Sequence, residues 1–410
     1  MHQDYVFYGI LFILCAEFVL ATVLNYLNAQ RFKDPIPAEA KDVYNLEEYE
    51  KSQAYKLINY KFRIVTSVFS LFLMLGFLMF GGFAWVDKIA LQTTAHPIFQ
   101  ALLFFGIIML GSDIINTPFS YYQTFVIEER FGFNTTTHAT FLKDKGKQWA
   151  MTIIIGGGLL ALVIGFFEWA GSNFWLYTWA LIAVVSVFIN LFYSKLIVPI
   201  FNKQEPLEEG SLKEKIEQYA AKVGFDLQHI FVINGSKRST KANAYFSGFG
   251  KEKRVTLYDT LISDLKEEEI VAVLAHEIGH YKRRHIIFNV CASMLFTGLM
   301  LFLLSLFINN PEISLSIGVD RPSFHAALIG FGILYSPVSE ITGVLMHHFS
   351  RKFEYQADDY AKETYAAEPL VTSLKKLSKN SLSNLTPHPA YVFMHYSHPP
   401  LIDRIRNLKA

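Results

Sequence analysis

Long apolar runs alternate with polar segments along this chain. A helix that crosses a lipid bilayer needs about 20 mostly apolar residues, and seven runs reach that length. They cover residues 5–27, 62–86, 98–122, 148–169, 174–198, 286–308 and 324–346. The pattern therefore predicts a mainly α fold, built on a bundle of seven transmembrane helices.

The charges of the loops orient these spans, because cytoplasmic loops carry an excess of lysine and arginine. Such residues number six in loop 28–61, four in 121–147, fourteen in 199–285 and nine in 347–410. The three intervening loops hold at most one each. Rich and poor loops alternate, which predicts an N-terminus outside the membrane and a C-terminus on the cytosolic side.

The spans divide the sequence into four parts. Residues 1–198 carry spans one to five, and residues 286–346 carry spans six and seven. The polar segments 199–285 and 347–410 are separated by that second membrane part, but both are predicted to lie on the cytosolic side. A site built from both segments would therefore lie at the cytosolic surface of the membrane.

The polar segments themselves have mixed patterns. Helical spacing predicts helices over 211–223, 265–284, 350–365, 370–379 and 400–409. Short β-branched and aromatic runs predict strands over 229–234 and 254–258, with 243–249 as a third candidate. We therefore expect a small β-sheet covered by helices on the cytosolic side.

Composition agrees with a membrane protein. Charged residues make up 18% and hydrophobic residues 52% of the chain, whereas soluble globular domains carry about 25% charge. The net charge is only +1, so no global field favours a nucleic-acid partner. Membrane lipid is the expected surrounding, and nucleic acid is not an expected partner.

The helix predicted over 265–284 contains the sequence His276-Glu277-Ile278-Gly279-His280. Histidines at positions i and i+4 project from one helical face, so both imidazoles can reach one Zn²⁺. Glu277 lies beside such a metal, where it can deprotonate a water molecule that the metal activates. The alternative is two ordinary surface histidines on a polar helix.

A catalytic zinc usually has three protein ligands, so the site needs another histidine or carboxylate from the same side of the membrane. Glu354 is the candidate, on the helix predicted directly after span seven. Asp358 lies one turn later and could accept the free N–H of a ligand histidine. On periodicity alone, both could equally be surface acids.

These residues carry a resemblance to a known family. The chain resembles the type I CAAX prenyl proteases, which are seven-span membrane zinc metalloproteases. The resemblance covers nearly the whole chain, and a bacterial member is favoured because the long cytosolic insertions of eukaryotic members are missing. The matching stretches are 125–134, 200–203, 235–239, 243–248, 276–285, 350–358 and 398–400, together with Arg404.

The resemblance implies a role for each matching residue. It implies a large water-filled intramembrane chamber with one zinc ion at its cytosolic end, and a peptide or protein substrate of the prenylated CaaX type. The implied zinc ligands are His276, His280 and Glu354. The other implied roles are general base for Glu277, support of a ligand for Asp358, substrate binding for Asn243 and Arg404, and oxyanion stabilisation for His398.

Alternatives remain open at this point. Asn243 could be a turn residue, His398 an interfacial histidine and Arg404 a structural ion-pair partner. His347 and His348 have no assigned role and are interpreted as interfacial residues. The rival functions are a membrane quality-control protease without a prenyl requirement and, more remotely, a seven-helix transporter with a structural histidine motif. The expected location is a bacterial inner membrane, or the endoplasmic reticulum in a eukaryote.

Overall fold

Helices make up most of the computed structural model, which describes residues 2–227, 229–247 and 254–410. The first half contains α1 (His2–Gln30), α2 (Leu46–Met79), α3 (Gly82–Thr93), α4 (Pro97–Tyr122), α5 (His138–Met151), α6 (Gly158–Ala170), α7 (Phe174–Phe192) and α8 (Val198–Phe201). The second half contains α9 (Ser211–Lys222), α10 (Asp259–Asp264), α11 (Glu267–Lys282), α12 (His285–Phe307), α13 (Pro311–Ser316), α14 (Phe324–Thr364), α15 (Ala367–Asn380), α16 (Pro389–His395) and α17 (Leu401–Lys409). The mainly α fold is thereby confirmed.

Six helical segments in the described chain are long and apolar enough to cross a membrane. They are Asp4–Lys33, Leu46–Met79, Pro97–Glu128, His138–Phe201, His285–Phe307 and Phe324–Thr364. The fourth is 64 residues long and contains both predicted spans four and five. Within it, Gly171 has a φ of 55° and separates α6 from α7, which pack against each other. The protein is multi-pass, and the count of seven spans stays a prediction.

The second predicted span, 62–86, differs from the helix that the structure contains. Helix α2 begins at Leu46, where Asn45 and Glu48 form a reciprocal capping box, and it ends at Met79. Gly81 then adopts a left-handed φ of 70°, and α3 begins at Gly82. Hydropathy alone did not detect this turn, because apolar residues continue on both sides of it.

The last span also differs, because it does not stop at the membrane surface. Helix α14 continues without a break for 41 residues, from Phe324 to Thr364. It therefore includes both the predicted span 324–346 and the predicted helix 350–365. One rigid element thus carries the membrane segment directly into the polar part of the protein.

A small mixed sheet lies in the polar part, as predicted. Its strands are β1 (Gln204–Pro206), β2 (His229–Ile233), β3 (Ala244–Ser247) and β4 (Arg254–Tyr258), in the order β1-β2-β4-β3. Strands β2 and β4 are parallel, and the outer pairs are antiparallel. Gly248 and Phe249, included in the predicted strand 243–249, lie outside the described residues. In that strand order, β3 is an edge of the sheet formed by the described residues.

The sheet and the helices around it share one apolar core. Val255 and Leu257 of β4 belong to it, together with Ile270, Leu274 and Ile278 of α11. Helices α9, α14, α15 and α17 supply further members of this cluster. Segments 199–285 and 347–410 therefore fold together.

The loop after α4 connects the membrane part to the polar part. Asn134 forms an isolated antiparallel bridge with Ser239, and Lys241 Nζ lies 2.8 Å from a Glu128 carboxylate oxygen. Arg238 donates two hydrogen bonds to Asp144, at 2.7 and 2.9 Å. The matching stretches 125–134 and 235–239 are thus contact partners.

Candidate metal centre

The centre forms where α11 crosses α14. Gly279 lies at the crossing point. A Cβ atom on this residue would lie 3.1 Å from the Ala357 Cα and 3.2 Å from the Tyr360 Cβ. A side chain at this position would force the helices apart, since packed interiors leave little room for added atoms. The close approach allows His276 and His280 of α11 to face Glu354 of α14.

We expect Gly279→Ala to disrupt this crossing. The added methyl group should lower the free energy of unfolding by about 1–3 kcal/mol and weaken metal binding. Gly146→Ala is the matched control, because Gly146 lies within α5 with no atom near its notional Cβ. Thermal unfolding and metal titration of both variants check this expectation. Equal behaviour of the two variants would contradict it.

Three potential ligand atoms converge at the crossing. One atom from each of His276, His280 and Glu354 lies within 4.8 Å of the other two. The two Nε2 atoms of the histidines are 3.1 Å apart. They lie 3.5 Å (His276) and 3.3 Å (His280) from oxygens of the Glu354 carboxylate. Glu354 is buried, with 4% of its surface exposed, so a compensating positive charge is needed there.

The other ring nitrogens of both histidines are occupied by protein groups. His276 Nδ1 lies 2.9 Å from an oxygen of the buried Asp358 carboxylate. His280 Nδ1 lies 3.0 Å from His285 Nδ1, and His285 Nε2 lies 2.8 Å from the Gln356 side-chain oxygen. Such contacts to the outer nitrogen fix the ring orientation and tautomer of a ligand histidine. Both Nε2 atoms are thereby directed toward Glu354.

The donor set fits a divalent metal. Glu354 Oε2 is fully buried, and its contact with a cation among the described residues, Arg404 Nη1 at 3.4 Å, does not form a hydrogen bond, although buried polar atoms normally have one. A metal ion between the two imidazoles and this carboxylate would satisfy that oxygen. Two neutral imidazoles and one carboxylate also form a common set of ligands for catalytic zinc.

The electrostatics of His276 predict a proton release on metal binding. Burial disfavours its charged form, but the Asp358 and Glu354 carboxylates outweigh this effect and raise its pKa to about 9. At neutral pH the metal-free ring is therefore protonated, and a metal must displace that proton. Metal affinity should accordingly rise by about tenfold per pH unit up to pH 9 and then level off.

Calorimetry in two buffers of different ionisation enthalpy measures this release directly. We expect about one proton to leave per metal bound at pH 7. Asp358→Asn removes a carboxylate that favours the charged form of the His276 ring, so this variant should release fewer protons per metal bound. A proton count near zero in the unaltered protein would contradict the stated pKa.

The remaining candidate residues lie around this centre. His398 Nε2 is 3.2 Å from Glu354 Oε1, and 64% of its side chain is exposed. Glu277 is half-buried next to His276, and no hydrogen bond or ion pair with a described residue holds its carboxylate. Asn243 is exposed directly before the edge strand β3. All three positions are open to an incoming molecule.

Arg404 differs from these three because it is buried and engaged. Its guanidinium donates to both oxygens of Asp358, at 2.6 and 2.8 Å, and lies 3.4 Å from Glu354 Oε2. It therefore contacts both carboxylates that face His276. Its implied part in substrate binding stays a prediction.

His285 and Gln356 are site residues to which the sequence analysis assigned no role. His285 is 3% exposed and stacks on the Phe353 ring, with centroids 4.2 Å apart. The available signal was its position five residues after His280, at the end of the matching stretch 276–285. That spacing does not reveal a contact, because α11 ends at Lys282 and a new helix begins at His285.

Comparisons with known proteins identify the family of this chain. Residues 25–203 match the CAAX prenyl protease N-terminal domain, described as five membrane helices, and residues 206–410 match peptidase family M48. A CAAX prenyl protease 1 homolog from Arabidopsis thaliana is 35% identical, with 95% of this chain and 94% of the relative covered. The CAAX prenyl protease 1 of Saccharomyces cerevisiae is 34% identical, with 96% and 93% covered.

A solved structure shares the fold over its whole length. The crystal structure of S. mikatae Ste24p matches with a TM-score of 0.93 and 32% sequence identity, covering 99% of each chain. This multi-pass membrane protein, which contains a His-His-Glu group, is thus similar to these proteases over its whole length. The chain is a metalloendopeptidase and belongs to the type I CAAX prenyl protease family within peptidase family M48.

Proposed function

We propose that this protein is a zinc-dependent endopeptidase that cuts prenylated CaaX-type proteins or peptides near their C-terminus. The observation that carries the proposal is the convergence of His276, His280 and Glu354 beside Glu277, whose carboxylate pairs with no described residue. The names of the relatives support the substrate class, since those proteins are called CAAX prenyl proteases. Zinc is favoured over other metals by two imidazoles and a carboxylate.

Each residue of the site has a separate role in the proposed reaction. Bound zinc supplies Lewis-acid chemistry, which polarises a carbonyl and makes water more acidic. The Glu277 carboxylate accepts the proton of the attacking water and delivers it to the leaving amine nitrogen. His398 Nε2, exposed beside Glu354, can donate a hydrogen bond to the oxyanion, and such a donor is worth about 3 kcal/mol. His276, His280 and Glu354 hold the metal.

The edge strand offers a way to hold the substrate. An extended peptide can add to an exposed sheet edge through main-chain hydrogen bonds. Strand β3 is such an edge, and it packs near α11. Asn243, directly before it, can contact the peptide backbone beside the metal. We propose that the scissile bond reaches the centre in this way.

The membrane arrangement is part of the same proposal. Seven spans follow if His138–Phe201 crosses twice, with the zinc site and C-terminus on the cytosolic side. The four parts 1–198, 199–285, 286–346 and 347–410 then follow the sequence divisions. Cavities whose lining includes polar side chains, one near Asp113 and one at the Asn190–Asn289 groove, support a wet intramembrane chamber. The bacterial inner membrane remains the favoured location.

A quality-control protease without a prenyl requirement is the second candidate, and one experiment separates the two. Matched farnesylated and unmodified CaaX peptides are given to the detergent-purified, zinc-loaded protein, with Glu277→Gln as the inactive control. Cleavage of the farnesylated peptide alone is expected. Equal cleavage of both would favour the general protease, and cleavage of neither by a zinc-loaded protein would contradict the proposed substrate class.

A further inference from the structure

A cavity lies at the end of the helix bundle away from the metal centre. Its volume is about 280 Å³, and it is bordered by the start of α4, the end of α6, the residues just after α12 and residues 321–325. Glu354 lies far along α14 from Phe324, about 45 Å away at a helical rise of about 1.5 Å per residue. That distance exceeds the hydrocarbon thickness of a bilayer, about 30 Å. We call this space the outer cavity, because it lies on the predicted outer side of the membrane.

Two buried atoms of residues that line the outer cavity lack a hydrogen-bond partner in the described chain. They are the Nε atom of Arg321 and the hydroxyl oxygen of Ser323. Buried polar atoms normally have a partner, because an unpaired one loses its hydration without compensation. Both groups can donate a hydrogen bond. Two unpaired donors, two residues apart, therefore favour a ligand that accepts hydrogen bonds.

Arg321 is held in place by its other contacts. Its Nη2 atom lies 3.2 Å from the Gln100 side-chain oxygen and 3.3 Å from an oxygen of Asp87. The same Asp87 oxygen lies 2.7 Å from His325 Nε2, so this carboxylate is shared between two residues. Asp87, Gln100 and His325 are all buried. The guanidinium is thus fixed through one nitrogen, and its Nε–H group remains available to a ligand.

The local charges favour a ligand with a phosphate group. Ser323 directly precedes α14, so the positive end of that helix borders the cavity together with the Arg321 guanidinium. Guanidinium groups and helix N-termini both bind phosphate oxygens through N–H donors. A phosphate diester has two non-bridging oxygens, which can accept one hydrogen bond from Arg321 and one from Ser323.

An acidic residue borders the same cavity. Glu168, in the last turn of α6, is exposed and forms no ion pair with a described residue. Its neighbour Trp169 is 71% exposed, and the indole ring lies 5.1 Å from the Tyr177 ring. Tryptophan and tyrosine are enriched at the membrane–water interface, where lipid headgroups lie. The outer cavity thus offers both a cation and an acid at the depth of the headgroups.

We propose that the outer cavity binds a phospholipid whose headgroup carries both a phosphate and an ammonium group. The phosphate accepts hydrogen bonds from Arg321 Nε and the Ser323 hydroxyl, and the ammonium group pairs with Glu168. Ile164 and Phe167, which also line the cavity, pack against the apolar part next to the headgroup. The site is separate from the proposed peptide hydrolysis, because the metal centre lies toward the other end of α14.

A soluble phosphate ester shares this chemistry, and ordered water is the simplest other occupant. The lipid is favoured by the apolar wall and by the exposed Trp169, which neither a soluble ester nor water requires. The three occupants also predict different dependences. Lipid binding requires acyl chains, the binding of a soluble ester does not, and a cavity filled by water shows no preference between headgroups.

Native mass spectrometry of the full-length, detergent-purified protein measures the dissociation constant of each bound lipid. Phosphatidylethanolamine is compared with phosphatidylglycerol of the same acyl chains, since both contain a phosphate diester and only the first carries an ammonium group. We expect the unaltered protein to bind phosphatidylethanolamine about two- to fivefold more tightly, as is usual for an exposed ion pair. Glu168→Gln should remove this preference.

Ser323→Ala tests the phosphate contact, because the Ser323 hydroxyl has no partner in the described chain and does not cap α14. The lipid-free variant should unfold at the same temperature as the unaltered protein. It should bind both lipids about tenfold more weakly, because a hydrogen bond to a charged group is lost. Arg321→Gln should weaken both further, and its lipid-free unfolding temperature reports the separate loss of the contact with Asp87.

Ser172→Ala and Lys88→Gln are the matched controls, since both residues are exposed on the same predicted side and neither lines the outer cavity. Both variants should keep the affinities of the unaltered protein. Equal affinities for the two lipids in the unaltered protein, or unchanged affinities in Ser323→Ala, would overturn the inference. Equally tight binding of glycerophosphoethanolamine, which lacks acyl chains, would assign the site to a soluble ester instead. Peptide cleavage is not a readout here, so a failure of the proposed function would leave these outcomes unchanged.

Discussion

Glu277→Gln is expected to lose turnover by about 10²–10⁴-fold while it keeps its metal. Glutamine has nearly the same shape as glutamate, but its amide cannot accept the proton of the attacking water. Glu277 makes no hydrogen bond or ion pair with a described residue, so the fold should not depend on it. Measurement of kcat/KM and of bound zinc in the same preparation checks both halves of the prediction.

Glu268→Gln is the control for this experiment. Glu268 lies in the first turn of the same helix and pairs with Lys215 at the surface, 2.6 Å away. Its loss should change stability and activity little, because solvent screens ion pairs between exposed side chains. Full activity of Glu277→Gln would show that another group takes the proton, and loss of zinc would show that Glu277 is a ligand.

Glu354→Gln is expected to weaken zinc binding by more than about 100-fold, because it replaces a charged ligand by a neutral one. The change also leaves the Arg404 guanidinium beside a group that no longer carries charge. Competition with a chelator of known affinity measures the dissociation constant without relying on activity. Circular dichroism and thermal unfolding separate metal loss from unfolding.

Glu363→Gln is the matched control, since Glu363 is an exposed residue of the same helix. Its zinc affinity should equal that of the unaltered protein. The zinc affinity of Asp358→Asn should lie between those of Glu354→Gln and Glu363→Gln. We expect it to be about 10- to 100-fold below that of the unaltered protein, because Asp358 supports a ligand histidine. Normal zinc affinity in Glu354→Gln would remove Glu354 from the ligand set.

The sequence predicted those features that depend on local pattern. The long apolar runs are helical in the structure, apart from the turn at Gly81 within the run 62–86, because burial in lipid demands both hydrophobicity and internal hydrogen bonding. The i, i+4 histidines are a property of a single helix, α11, and its position followed from spacing. Glu354 was found from resemblance and from its place after span seven, and α14 does bring it to the histidines.

Features set by the surroundings rather than by pattern were harder to predict. The continuity of α14 was missed because hydropathy reports the environment of a residue and not the conformation of its backbone. Strand β1 was missed because it is three residues long and contains a proline, Pro206.

Contacts between distant residues could not be predicted from spacing at all. His285 touches Gln356, 71 residues away, only because Gly279 permits the close crossing of α11 and α14. Arg404 reaches Asp358 across 46 residues in the same way. Such contacts depend on how whole elements pack, which a single sequence does not reveal.

We propose that zinc held by His276, His280 and Glu354 enables this chain to cut CaaX peptides. Titration of zinc into the metal-stripped protein tests it most directly, with cleavage of a farnesylated CaaX peptide as the readout. We expect activity to rise linearly and to level off at one zinc per chain, and Glu277→Gln to bind the same zinc without regaining activity. Cleavage by the metal-stripped protein, or equal recovery in Glu277→Gln, would contradict it.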